Sequence, residues 1–156
     1  YLVYDSEVGA EYCTVPGNYW KWFDDNKKLT MDLSPGIIIP VIHHRFTWHN
    51  VLRIPETAIT DCLGCVNDDT FFGKPLHTLL FLGAQKRTAF AFNQNQTVWQ
   101  LSYTFAEKNH GTIAAPLGWN YFFRYDGNPN WQLVVDVTNG RAPYLADTFS
   151  ELFQFG

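Results

Sequence analysis

Three groups of residues carry chemistry that could act on a ligand or an ion. Cys62-Leu63-Gly64-Cys65 sets two thiols at a spacing that suits half a zinc site or disulfide exchange. His43, His44 and His49 supply imidazoles within one short stretch. Asp24-Asp25 and Asp68-Asp69 are carboxylate pairs of the kind that bind calcium or do acid–base work. Each group also has a plainer reading. A four-ligand zinc site needs a second thiol pair, and Cys13 is the sole other cysteine. Cys62 falls at the end of a predicted helix, where the dipole does not lower a thiol pKa. The thiols therefore read as structural. On a strand, His43 and His44 point to opposite faces. His43 and His49 share a face but stand roughly 20 Å apart at strand rise, too far for one ion. Folding could still bring either towards His77 or His110. The acid pairs lack the calcium-loop spacing and read as solvated turns.

No Gly-x-Ser-x-Gly elbow, phosphate-binding glycine loop, dinucleotide fingerprint or His-Glu-x-x-His occurs. The sequence thus gives no ground for a catalytic residue, a metal site or a cofactor, and a non-enzymatic role is expected. Composition agrees. Charged residues make up 17% of the chain, below the ~25% usual in globular domains. The 13 Phe, 8 Tyr and 6 Trp leave more adhesive surface than a monomer normally shows, which points to partners. Stacking of Trp rings on a sugar is the rival use of the same residues. Net charge is −4 with scattered Lys and Arg, so direct nucleic-acid binding is not expected. No apolar run approaches the ~20 residues that span a bilayer, and no membrane partner is expected. Tyr1 rather than Met opens the chain, as expected after a cleavage or within a longer protein. Asn95-Gln96-Thr97 has the form of a glycosylation sequon, a triplet common by chance.

The elements that must position these residues are short and well punctuated. Residues 1–36 read as an extended or mixed segment that packs on the rest. Within it, Tyr19-Trp20-Lys21-Trp22-Phe23 suits a short strand, followed by a turn at Asp24–Lys28. Ile37 to Arg53 reads as a long strand whose even face stays apolar while the odd face turns polar after Val41. Pro40 lacks an N–H and favours an edge or bulge. Pro55 to Cys62 suits a short helix ended by Gly64, and Asn67-Asp68-Asp69 a turn. Leu76–Leu82, ended by Gly83, and Arg87–Asn93 read as two strands. Thr97 to Lys108 gives the clearest period of two, with Trp99, Leu101, Tyr103 and Phe105 on one face. Trp119–Tyr125 and Trp131–Val137 flank Asp126-Gly127-Asn128-Pro129-Asn130, a hairpin signal. Thr148 and Glu151 have the form of a capping box for a closing helical turn. The expected fold is one mainly β domain over residues 1–156: an antiparallel sandwich or partly closed barrel with one or two short helices.

One ordered pattern is distinctive. Gly64-Cys65-Val66-Asn67 is followed by Leu80-Phe81-Leu82-Gly83-Ala84, by Trp99-x-x-x-Tyr103-x-Phe105, and by Gly118-Trp119-x-Tyr121. It resembles a group of uncharacterised proteins from bacteriophages, prophages and planctomycete genomes, over about residues 37–152. The closing Pro143-Tyr144 to Asp147-Thr148-Phe149-Ser150 is similar to their last segment. The resemblance implies a phage-type origin and a virion structural role, in the tail, neck or capsid surface of a tailed phage. The chain would be made in the host cytoplasm and would associate with other virion proteins and copies of itself. A carbohydrate-binding β-sandwich or receptor-binding module is the alternative. Interface candidates are Trp20, Trp22, Phe23, Phe71 and Phe72, read as lying in turns or weak elements, with Tyr125 and Phe155 as further ones.

Overall fold

The computed structural model describes residues 2–13, 20–28, 37–90, 97–109, 118–124 and 130–155. Its larger sheet has six strands in the order β1 (Leu2–Cys13), β3 (Ile37–Val51), β6 (Thr97–Glu107), β5 (Leu79–Phe90), β4 (Val66–Asn67) and β9 (Ala146–Asp147). A three-stranded sheet follows the order β2 (Trp20–Trp22), β8 (Asn130–Asp136) and β7 (Tyr121–Arg124). Neighbours pair antiparallel except β4 with β9, which is parallel. The protein is mainly β, its sheets do not close into a barrel among the described residues, and the arrangement is consistent with a β-sandwich.

Alternation along β6 decides which face is buried. Leu101, Tyr103 and Phe105 point into the main core, where they meet Phe46, Leu79 and Phe81. Helix α1 (Glu56–Cys62) covers this face through Ala58 and Cys62. The chain's end covers it through Phe149 and Leu152, within and before a 3-10 turn at Ser150–Phe153. Tyr103 could not be buried with an idle hydroxyl, and it donates to the Leu152 carbonyl at 2.5 Å. On the opposite face, Val41, Val66, Leu80 and Ala106 pack with Trp119, backed by Trp131 and Tyr144. Trp119 Nε1 donates to the carbonyls of Thr78 and Ala106, both at 3.1 Å. The Lys108 ammonium lies 5.2, 5.1 and 5.8 Å from the ring centres of Trp119, Phe122 and Trp131. This buried cation–π cluster joins the two sheets.

Several local expectations are met. The short strand at Trp20, the helix after Pro55 and the β7–β8 hairpin all form. Pro40 lies in a stretch of β3 that among the described residues pairs with β1 but no longer with β6, an edge position of the kind a residue without an N–H favours. Others are refined or corrected. Within the segment read as extended or mixed, Leu2–Cys13 is a twelve-residue strand paired with β3, which the sequence reading did not name. Gly83 does not end a strand. It takes φ +128 at a register slip between Phe81 and Gly83, and β5 runs on to Phe90, because glycine admits the bulge. Asn67 belongs to β4 rather than to a turn. The Thr148–Glu151 capping box does not form: the 3-10 turn has no side-chain cap, and Thr148 Oγ1 instead meets Ser150 Oγ at 3.1 Å. Among the described residues, no helix is long and apolar enough to cross a membrane.

Candidate functional site

Where β1 lies against β3, the aromatic face runs out from under its cover. There a cavity of about 260 Å³ is lined by Tyr4, His44, Phe46, Phe72, Lys74, Leu79 and Phe105. Register explains the gathering. Tyr4 pairs with Phe46, His44 with Phe105, and Phe46 with Tyr103, so residues distant in sequence share one face.

The rim across from β1 is the loop between β4 and β5, and buried Asn67 builds it. Asn67 Nδ2 donates to the carbonyls of Asp69 and Pro75 at 2.7 and 2.9 Å. Its Oδ1 accepts from the Leu79 N–H at 3.0 Å. One amide thus ties both ends of the loop. At the tip, Phe71 and Lys74 exchange backbone hydrogen bonds of 3.0 and 2.9 Å. The two residues between them, Phe72 and Gly73, have φ +48 and +73, as a two-residue hairpin turn of the type I′ kind requires. A phenylalanine there costs about 1–2 kcal/mol relative to the ordinary helical region. Phe72 is nonetheless held, stacked 4.5 Å from Phe46 and edge-on to Phe71 and Phe153, while 51% of its surface stays exposed.

Polar groups meet at the same place. Tyr4 Oη lies 2.7 Å from His44 Nδ1, and His44 Nε2 lies 3.3 Å from Glu107 Oε2. Glu107 Oε1 takes a 2.9 Å ion pair from Lys74 Nζ. A carboxylate only accepts, so in the neutral imidazole Nε2 carries the proton and Nδ1 accepts from the tyrosine hydroxyl. His44, 8% exposed, therefore has both nitrogens engaged. Lys74 has two further N–H groups with no acceptor among the described residues, and its side chain is 38% exposed.

The other groups that carry chemistry stand apart from this cavity. Cys62 Sγ donates to the Thr148 carbonyl at 3.4 Å, and Cys65 Sγ to that of Asp61 at 3.5 Å. Both are free thiols. Burial pushes the Cys62 thiol up to about 12, with Asp147 adding to it, and raises Cys65 as well. Neither is poised as a nucleophile. Among the described residues no three His, Cys, Asp or Glu side chains gather around a point. Asp136 is held below the usual carboxylate range, first by the Asn139 N–H and then by those of Arg141, Thr138 and Gly140. It ties the turn after β8.

The interface candidates are scattered. Phe23 is 58% exposed at the end of β2. Trp22 is an interior residue, packed with Phe122 and Val134 beneath the Arg124 guanidinium, because β2 turns it inward. Trp20 is half-buried beside that cluster, in a regular strand rather than a turn. Phe71 is half-buried against Phe105 and Phe149, and Phe155 against Trp48 and Tyr103. Of these, Phe72 alone lines the cavity. Tyr125 lies outside the described residues. Sequence reasoning missed β1, where Leu2, Val3, Tyr4 and Val8 are exposed, and it missed the Tyr4–His44–Glu107–Lys74 chain. The signal for β1 was present in the apolar residues of Leu2-Val3-Tyr4. Compared with protein-family models, curated proteins and solved structures, the chain matches none of them.

Proposed function

We propose that this chain is an assembly protein that acts through protein–protein contacts, as a structural component of a tailed-phage virion. Its partners are other virion proteins and copies of itself. The observation that carries the reading is β1. It pairs with β3 on one side and has no strand on its other side among the described residues. Leu2, Val3, Tyr4 and Val8 are all exposed along it. A long edge strand with apolar side chains is a ready template for another chain, through main-chain hydrogen bonds and side-chain contact. Asp5 and Glu7 on the same strand limit indiscriminate pairing, as edge charges do. The resemblance of the Asn67, Phe81, Tyr103 and Trp119 segments to phage and prophage proteins supports a virion as the setting.

The carbohydrate-binding alternative has less behind it. Trp22 and Trp119 are buried and the other four tryptophans half-buried, so none offers the open face that a pyranose stacks on. The test is cross-linking mass spectrometry on purified particles. The expected result is the chain in the particle, with cross-links from the β1 region to a neighbour. Its absence from particles would remove the virion setting. A chain that also stays monomeric at every concentration in solution would remove the assembly role.

A further inference from the structure

The cavity beneath β1 has the make-up of a small-molecule site. Ligand cavities are mostly apolar, with a few convergent polar groups that fix orientation. Here Phe46, Phe72, Phe105 and Leu79 form the apolar walls. The polar contributors are Tyr4, His44 and Lys74. His44 is saturated by Tyr4 and Glu107, and it holds the Tyr4 wall in place. Lys74, which also lines the cavity, keeps spare donors beyond its ion pair with Glu107. The volume of about 260 Å³ lies just below the usual range for drug-sized ligands, which leaves room for one ring and a short substituent. The rim is preformed, since Asn67 ties the loop and the turn fixes Phe72 at positive φ. A strained aromatic kept half-exposed at a cavity mouth is the kind of outlier that points to use.

We propose that this cavity binds a compact aromatic carboxylate, its ring against Phe46, Phe72 and Phe105 and its carboxylate on Lys74. An anionic head suits Lys74, which lines the cavity with a partly exposed side chain, whereas Glu107 has its oxygens engaged by His44 and Lys74. A cationic ligand would meet Lys74 instead of a free carboxylate. The proposal is independent of the assembly role.

Isothermal titration of the full chain with phenylacetate tests it, with acetate and benzyl alcohol as the two halves of that chemistry. The expected result is saturable binding of phenylacetate with Kd near or below about 1 mM, and each half at least about tenfold weaker. Lys74→Met should weaken phenylacetate about tenfold and leave benzyl alcohol unchanged, while Lys74→Arg retains binding. No saturable phenylacetate binding by about 10 mM would overturn the proposal, as would wild-type affinity in folded Lys74→Met. Should Lys74→Met fail to fold, Phe72→Ala at the exposed rim replaces it. That variant should lose several-fold for phenylacetate and benzyl alcohol, and unchanged affinity for both would overturn the proposal.

Discussion

One aromatic face of the larger sheet is built in two ways. Over β5 and β6, Phe81 and Tyr103 are fully buried under α1, Phe149 and Leu152. Over β1 and β3, Tyr4 is 51% exposed, and Phe46, besides Trp48 and Phe105, stacks on the half-exposed ring of Phe72 where it lines the cavity. The residue types are the same, and so is the alternation that directs them. The difference is the roof. At the sealed end a helix and the chain's end contribute apolar side chains. At the open end a single hairpin tip does, and polar groups replace the missing cover. Stability is thus concentrated at one end and access at the other.

The sharpest way to break this comparison is to cut into the sealed end. Phe81→Ala should destabilise the protein by about 3–5 kcal/mol, the usual cost of a large aromatic truncated in a packed core. Urea unfolding measures it. A loss under about 1 kcal/mol would mean that the core relaxes freely, so that the two ends do not differ as described. The sealed end also predicts a pH response. The Cys62 thiol, raised to about 12 by burial, binds its proton more tightly folded than unfolded. Its contribution is intact below the unfolded value near 9 and is lost as pH rises from there towards 12. Cys62→Ala should therefore flatten the alkaline fall in stability. The wild-type thiol should also react with iodoacetamide at pH 8 only as fast as the protein opens. Rapid alkylation at Cys62 itself in the folded chain, as opposed to the half-buried Cys65, would show that the roof is leaky.

The sealed end was the legible one. Thr97 to Lys108 announces its own strand, because every second residue is bulky and apolar and nothing interrupts the period. Helix α1 could be read from Pro55 and Glu56, and the hairpin from Asp126 to Asn130, since both signals are local. β1 was legible only at its apolar start, Leu2-Val3-Tyr4. Asp5, Ser6 and Glu7 blur its alternation, and its strand character comes from pairing with β3, some forty positions away at Tyr4 and His44. The cavity was less legible still. Tyr4, His44, Lys74 and Glu107 lie on four separate segments and have no common spacing. Asn67 appeared as turn vocabulary, whereas its work is to hold Phe72 and Lys74 at the rim.

Asn67 is the next lever, because it alone separates rim from roof. Asn67→Ala removes three hydrogen bonds and leaves the Asp69 and Pro75 carbonyls and the Leu79 N–H without that partner. A loss of about 2–3 kcal/mol is expected, with faster amide exchange in residues 68–78 than in β6. Uniform acceleration across both would erase the division. Tyr4→Phe removes one hydroxyl from His44 Nδ1 and should cost about 1 kcal/mol, small because the edge strand is solvated.

The smallest effect is expected at Phe72, and its smallness is the point. Phe72→Ala forfeits stacking on Phe46, worth about 0.5–1.5 kcal/mol, and little buried area, since the ring is half-exposed. Alanine meets the same penalty at φ +48, so the strain does not cancel in that variant. Phe72→Gly removes the strain as well. The two losses should then nearly offset, leaving its stability within about 0.5 kcal/mol of wild type. If Phe72→Gly is neutral in urea unfolding, the stacking of the ring only offsets the strain of its backbone, so a phenylalanine there adds no net stability to the fold. If instead Phe72→Gly is destabilised as much as Phe81→Ala, Phe72 is core in all but exposure, and the open end of the sheet is sealed after all.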